Sequence, residues 1–173
     1  ALREALRQEF KNYCAQIVKN TKALAKSLME NGIKLVTNGT DNHMMLIDLT
    51  PFGKGNGIFV QEALEEANIT VNKNTIPAEP ASPFYPSGIR LGTPAITTRG
   101  MKEKEMQIIG KWIAGIIKEV KDFELPEDKE ERKAYIKDFK EKIKKNENIK
   151  GIKNEVIGLC NKFPLYPDFD VLR

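Results

Sequence analysis

Prolines at positions 77, 80, 83 and 86 recur at every third place, and no other stretch restricts the fold of this chain as strongly. Each proline removes a backbone donor and turns its predecessor away from the helical region, so this segment can be neither a helix nor a central strand. Short apolar strand signals flank it, Ile69-Thr70-Val71 before and Ile89-Arg90-Leu91-Gly92 after. The chain therefore has to close a proline-braced loop between two short strands. Arg90 stands on the second strand, just beyond the loop. A guanidinium there carries five donors in a rigid fork, the geometry that grips a carboxylate through two parallel bonds. On chemistry alone, a surface or salt-bridged arginine is the plainer reading.

From Leu2 to Asn31 the apolar positions Leu6, Phe10, Cys14, Ile17, Leu24 and Leu28 keep a three- or four-residue step, with Thr21 in the missing place. That spacing predicts one long amphipathic helix, stopped at Asn31-Gly32. Ile33 to Val36 and Met44 to Leu49 read as two strands, and the turn-rich Thr37–Asn42 segment predicts a hairpin between them. A helix is expected over Gly57 to Asn68. The last third is helical: Met106, Ile109, Ile113, Ile116 and Val120 form one stripe, broken at Leu125-Pro126. Asp128 is placed to cap a helix carrying Ile136, Phe139 and Ile143. Ile152, Val156, Leu159 and Phe163 mark a final helix before Pro164 and Pro167. A small sheet with about five helices defines an α+β fold, a two-layer sandwich of a small, mainly antiparallel sheet covered by helices.

At 173 residues the chain is long enough for one domain with its own core. The net charge of +4 is modest, and between Lys118 and Lys150 eleven Lys/Arg nearly cancel ten Asp/Glu. That pattern is a solvated helical surface, and it argues against nucleic-acid binding. No apolar run approaches the roughly 20 residues needed to span a bilayer, and no secretory signal pattern opens the chain. A start at Ala1 fits a truncated or processed product. Cys14 and Cys160 sit at helical spacing among apolar residues and are expected to be buried free thiols. Sparse cysteine with no signal peptide points to a reducing cytoplasm.

Three other features have plain readings. Gly53-Lys54-Gly55-Asn56-Gly57 lacks the full Walker spacing and reads as a flexible turn entering a helix. The lone His43 has no second ligand at metal spacing, so no metal is expected, and the turn chemistry of Asp41 and Asn42 suggests a structural role. Asp48 and the Glu62, Glu65, Glu66 group show no paired-carboxylate logic beyond a solvated helix face.

The run Val71-Asn72-Lys73-Asn74-Thr75-Ile76-Pro77, followed by Ser82-Pro83-Phe84 and by Ser87-Gly88-Ile89-Arg90-Leu91-Gly92-Thr93-Pro94-Ala95, resembles the C-terminal part of serine hydroxymethyltransferases. Gly39-Thr40-Asp41-Asn42-His43 and the ending Leu159 to Tyr166 extend the likeness over nearly the whole chain. The resemblance implies one C-terminal small domain over 1–173, as in fold-type I pyridoxal-phosphate enzymes, with a helix over 1–31 bridging toward a large domain. It implies that Arg90 binds the α-carboxylate of serine or glycine, and that the Asn74 amide contacts the pteridine of tetrahydrofolate. Ser82 and Phe84 would lie against the aminobenzoyl part of the folate, although Phe84 reads equally well as plain core.

The family's Schiff-base lysine follows a run of threonines and a histidine, and no such run occurs here. Pyridoxal 5'-phosphate is therefore expected to be held in the large domain, with no catalytic or cofactor-binding residue in this chain. The chain departs from the family pattern at Ala78-Glu79-Pro80 and at Pro86, which bears on loop contacts to folate. Dimers or larger assemblies of the whole enzyme are also implied. A non-catalytic amino-acid or folate-binding module, or a protein-interaction module, derived from such a domain stands as the alternative.

Overall fold

The computed structural model describes residues 1–165, so the expected features at Tyr166 and Pro167 lie outside the described residues. A three-stranded antiparallel sheet in the order β1-β3-β2 is formed by β1 (Met44–Asp48), β2 (Asn72–Asn74) and β3 (Gly88–Gly92). Side chains alternate across it. Met45, Ile47, Ile89 and Leu91 point into the core, while Leu46, Arg90 and Asn72 share the opposite face in one cross-strand row. Helices α2 (Gln8–Glu30) and α3 (Gly57–Glu66) pack against the apolar side, and α5 (Glu103–Glu119) packs along α2. The expected two-layer α+β arrangement is what forms.

The first helix does not run unbroken. A single turn, α1 (Leu2–Ala5), is separated from α2 by Arg7, whose backbone is extended at φ −76°, ψ 155°. No residue of α1 is buried, and a lone turn without packing does not recover its nucleation cost. The buried stripe of α2 begins only at Ile17 and continues through Asn20, Thr21, Leu24, Ala25, Ser27 and Leu28. Cys14 is consequently exposed and Cys160 only partly covered, so the expectation of two buried thiols fails. The helix stop is as predicted: Gly32 adopts φ +81° and the Ile33 N–H returns to the Leu28 carbonyl.

The expected hairpin shrinks to one bridge, Leu35 to Ile47, flanked by Val36 N–H to Leu46 O and Asp48 N–H to Lys34 O. Asn38, at φ +51°, curls the chain away immediately afterwards. Asp48 is not on a solvated helix face. It is buried at the end of β1, 2.7 Å from Lys34 Nζ, and accepts the N–H and hydroxyl of Thr50. Burial raises its pKa, but the Lys34 and Thr50 hydrogen bonds outweigh that and hold it below the ordinary carboxylate range. Glu62 and Glu66 are likewise ion-paired, to Lys140 and Lys153.

The strand expected at Ile69–Val71 forms instead at Asn72–Asn74. Ile69 and Val71 are partly buried against the core, so their apolar character reports packing rather than ladder bonding. The outer edge of β2 is covered where Lys73 N–H donates to Gln61 Oε1 of α3 at 2.8 Å. Two short elements have no periodic signal, a 3₁₀ turn at Thr50–Phe52 and α4 (Pro94–Thr98), and each carries a proline in its first turn.

Helix α6 (Lys129–Ile143) begins where predicted, with Asp128 accepting the N–H groups of Glu130 and Glu131 at 2.9 Å each. Phe139 of α6 packs edge-on to Phe59 of α3 at 4.8 Å and to Phe123 at 4.7 Å. Helix α7 (Glu147–Lys162) completes the layer. No helix among the described residues is long and apolar enough to cross a membrane.

Candidate functional site

Arg90 reaches the open face of the sheet because β3 alternates buried Ile89, exposed Arg90 and buried Leu91. Directly across the β2–β3 pairing stands Asn72, whose Oδ1 accepts the Arg90 Nε–H at 3.3 Å. That bond orients the guanidinium plane and leaves its two terminal nitrogens without a protein partner among the described residues. No carboxylate there pairs with Arg90, so the salt-bridged reading does not hold. The arginine lines a shallow groove of about 430 Å³ together with His43, Met44, Thr70, Asn72 and Gly92. A planar cation held at one edge and open at the other can accept a carboxylate in the bidentate manner.

Asn74 pairs with Gly88, two residues from Arg90 on the same face. Such diagonal neighbours lie about 7–8 Å apart, within reach of one ligand. The Asn74 Nδ2 donates to the Thr75 carbonyl at 2.7 Å, and its Oδ1 has no partner among the described residues. His43 is exposed beside the groove. Its backbone carbonyl accepts the Thr93 N–H and Asn42 Oδ1 accepts the Met44 N–H, so the structural bonding at this turn is made by its backbone and by Asn42, while the His43 imidazole has no hydrogen bond among the described residues.

Ser82 and Phe84 sit on the proline-braced loop between β2 and β3, away from the Arg90 groove. Phe84 is 80% exposed, which removes its reading as core. Ser82 forms a tight turn: its Oγ accepts the Phe84 N–H and its carbonyl accepts the Tyr85 N–H. The same serine borders a cleft of about 490 Å³ shared with Gly55, Asn56, Tyr85 and Arg132. Thus Asn74 and Arg90 are brought onto one surface, and Ser82 and Phe84 onto a neighbouring one. Lys73 Nζ links the two by donating to the Phe84 carbonyl at 2.9 Å.

Two residues that sequence reasoning did not assign to the site hold it in shape. Glu79 closes the base of the loop, one carboxylate oxygen taking the N–H groups of Ile76 and Ser87 and the other those of Ala81 and the Ser87 hydroxyl. Burial raises its pKa, but these donors prevail and hold it below the ordinary value. Ala78, at φ +54°, bends the chain so that Glu79 can reach back. Thr93, the residue immediately after β3, anchors the other end by bonding into α2. Acidic and hydroxylic letters near the prolines hinted at capping chemistry, but which amides they bind is a property of the folded loop.

The Gly-rich run is not a phosphate cradle. The Gly55 N–H is taken by Ser87 Oγ and the Gly57 N–H by the Pro86 carbonyl, both at 2.9 Å. Among the described residues no group of three His, Cys, Asp or Glu side chains is placed to hold a metal ion.

Antiparallel strands thus present an arginine fork beside an asparagine, next to a proline-braced loop, on the open face of an α+β domain. Residues 1–113 match the model of the family described as serine hydroxymethyltransferase. The serine hydroxymethyltransferase of Methanospirillum hungatei is 47% identical over 166 residues, which is 96% of this chain and 34% of that protein. The chain belongs to the serine hydroxymethyltransferase family, and it spans about a third of the length of that relative.

Proposed function

We propose that this chain is the C-terminal small domain of a serine hydroxymethyltransferase, the enzyme that interconverts serine plus tetrahydrofolate with glycine plus 5,10-methylenetetrahydrofolate. Arg90 receives the α-carboxylate of the amino acid, and Asn74 offers its open Oδ1 to the folate pteridine. Ser82 and Phe84 form the loop that lies along the aminobenzoyl part. The observation that carries this reading is the Arg90 fork, fixed at Nε by Asn72 and open at its terminal nitrogens on the face shared with Asn74. Fixing the carboxylate fixes which bonds of the α-carbon face the reacting group, so Arg90 governs reaction choice as well as affinity.

Pyridoxal phosphate is the cofactor that family membership implies, and the described residues do not fit it. The glycine-rich N–H groups are internally bonded, as set out above. Its site belongs to the rest of the enzyme, and the chain alone is inactive. The uncovered side chains of Leu2, Leu6 and Phe10, at 86%, 81% and 42% exposure, support a docking role for the first helical segment against that remainder.

The test is Arg90→Lys in the full enzyme carrying this sequence. A point ammonium cannot replace the fork. The KM for serine should rise roughly 10- to 100-fold, the cost of one or two charged hydrogen bonds, while the cofactor's absorbance is unchanged. An unaltered KM for serine would remove the assignment.

A further inference from the structure

The tip of the proline loop has few footholds. Of its residues 82–85, Ser82, Pro83 and Phe84 are exposed, and only Tyr85 packs against the body of the protein. The turn bonds from Tyr85 N–H to Ser82 O and from Phe84 N–H to Ser82 Oγ make these four residues one rigid piece. Its orientation therefore follows the Tyr85 ring. Over that ring lies the guanidinium of Arg132, 4.9 Å from the centroid. Arg132 cannot swing away freely, because its Nε donates to Pro126 O and a terminal nitrogen donates to Glu127 O, each at 2.9 Å. Lys73 Nζ also addresses the ring, at 5.6 Å, while bonding the Phe84 carbonyl. A cation held over an aromatic face contributes about 0.5–2 kcal/mol, and the exposed Lys73 bond to Phe84 O is a second contact that holds the tip.

From this geometry we infer that Arg132 is a positioning residue for folate. It belongs to α6, outside the residues 1–113 matched by the family model, and it acts through Tyr85 on Ser82 and Phe84. The inference rests on the folate reading of the loop proposed above. Arg132 does not line the Arg90 groove, so its effect should appear in folate affinity and not in serine affinity.

The experiment uses the full enzyme with Arg132→Met, which keeps the apolar stem but removes the charge and the donors. The KM for tetrahydrofolate should rise about threefold to tenfold, with the KM for serine and kcat at saturating folate within about twofold of the parent. Arg132→Lys should recover part of the loss, and Tyr85→Leu should reproduce it, whereas Tyr85→Phe, which keeps the ring face, should not. Asn74→Ala and Phe84→Ala are measured alongside. If they raise the folate KM while Arg132→Met and Tyr85→Leu do not, the positioning role is overturned and the folate reading stands. If none of the four moves it, both readings fall. A rise in both KM values together would make Arg132 merely structural and would also overturn the inference.

Discussion

The hydroxyl oxygens of Thr21 and Thr93 lie 2.6 Å apart inside the protein, and both also reach the Ile17 carbonyl, at 2.7 and 2.9 Å. Both residues are fully buried. Three oxygens meet there and only two hydroxyl protons are available, so one proton lies between the hydroxyls and the other goes to the carbonyl. This is the joint between α2 and the end of β3, and hence part of what holds Arg90 in place. Asn20 extends it by donating to Thr97 Oγ1 and to the Met101 carbonyl.

Replacing either threonine with valine keeps the shape and leaves the remaining hydroxyl its bond to Ile17 O. Each single change should cost about 1 kcal/mol, and the pair should cost less than the sum, because the bond between the hydroxyls is counted in both singles. Urea denaturation of the two singles and the double variant measures the coupling. Strict additivity would mean that the close approach of the hydroxyls carries no energy.

Glu79 makes the loop sensitive to acid. Its folded pKa lies below the ordinary glutamate value of 4.5, so the folded loop holds that proton less tightly than the unfolded chain does. The resulting stabilisation is complete above the ordinary value and is lost as pH falls through the folded one. Amide exchange at Ile76, Ala81 and Ser87 should quicken over that acid range, after correction for intrinsic chemistry. Glu79→Gln should abolish the dependence and leave the amides on one side of the loop fast at neutral pH, since an amide offers one accepting oxygen in place of two. Slow exchange of all three amides in that variant would show that other contacts close the loop.

Much of this was legible in the chain because the informative letters are ones whose physics is local. Proline spacing excluded regular structure at the loop, Gly32 marked a helix end, Asp128 marked a helix start, and strand alternation placed Arg90 opposite the core. What was hidden depends on partners distant in sequence. Thr21 read as a gap in an apolar stripe, but its hydroxyl finds Thr93 across the fold. Glu79 read as a departure from a pattern, but its partners are backbone amides, which no letter distinguishes. Cys14 shows the opposite failure. Its periodicity was helical, yet its own side of α2 is left exposed while neighbouring Tyr13 bonds α4. Periodicity reports a face, and burial needs a second surface to meet it.

Two glycines in helices should respond to alanine with opposite signs. Gly151 in α7 faces open space, with nothing within 4 Å of where a Cβ would stand. Alanine there removes the entropic cost of glycine in a helix and should stabilise the protein by up to about 1 kcal/mol. Gly110 in α5 lies where that helix crosses α2, and a Cβ would come within 2.6 Å of Ser27 Cβ and closer still to its Oγ. Ser27 is buried and its hydroxyl is committed to the Gln107 carbonyl at 3.0 Å, so it has no free rotamer into which to retreat. The helices would have to separate, an overpacking cost of about 1–3 kcal/mol that exceeds the gain in helix propensity. Gly110→Ala should therefore lower the melting temperature while Gly151→Ala raises it. Adding Ser27→Gly to Gly110→Ala removes the clashing atoms, so the double variant should lose less stability than the two single changes summed. If Gly110→Ala proves as stable as the parent, α2 and α5 are not in the close contact on which the placement of the core depends.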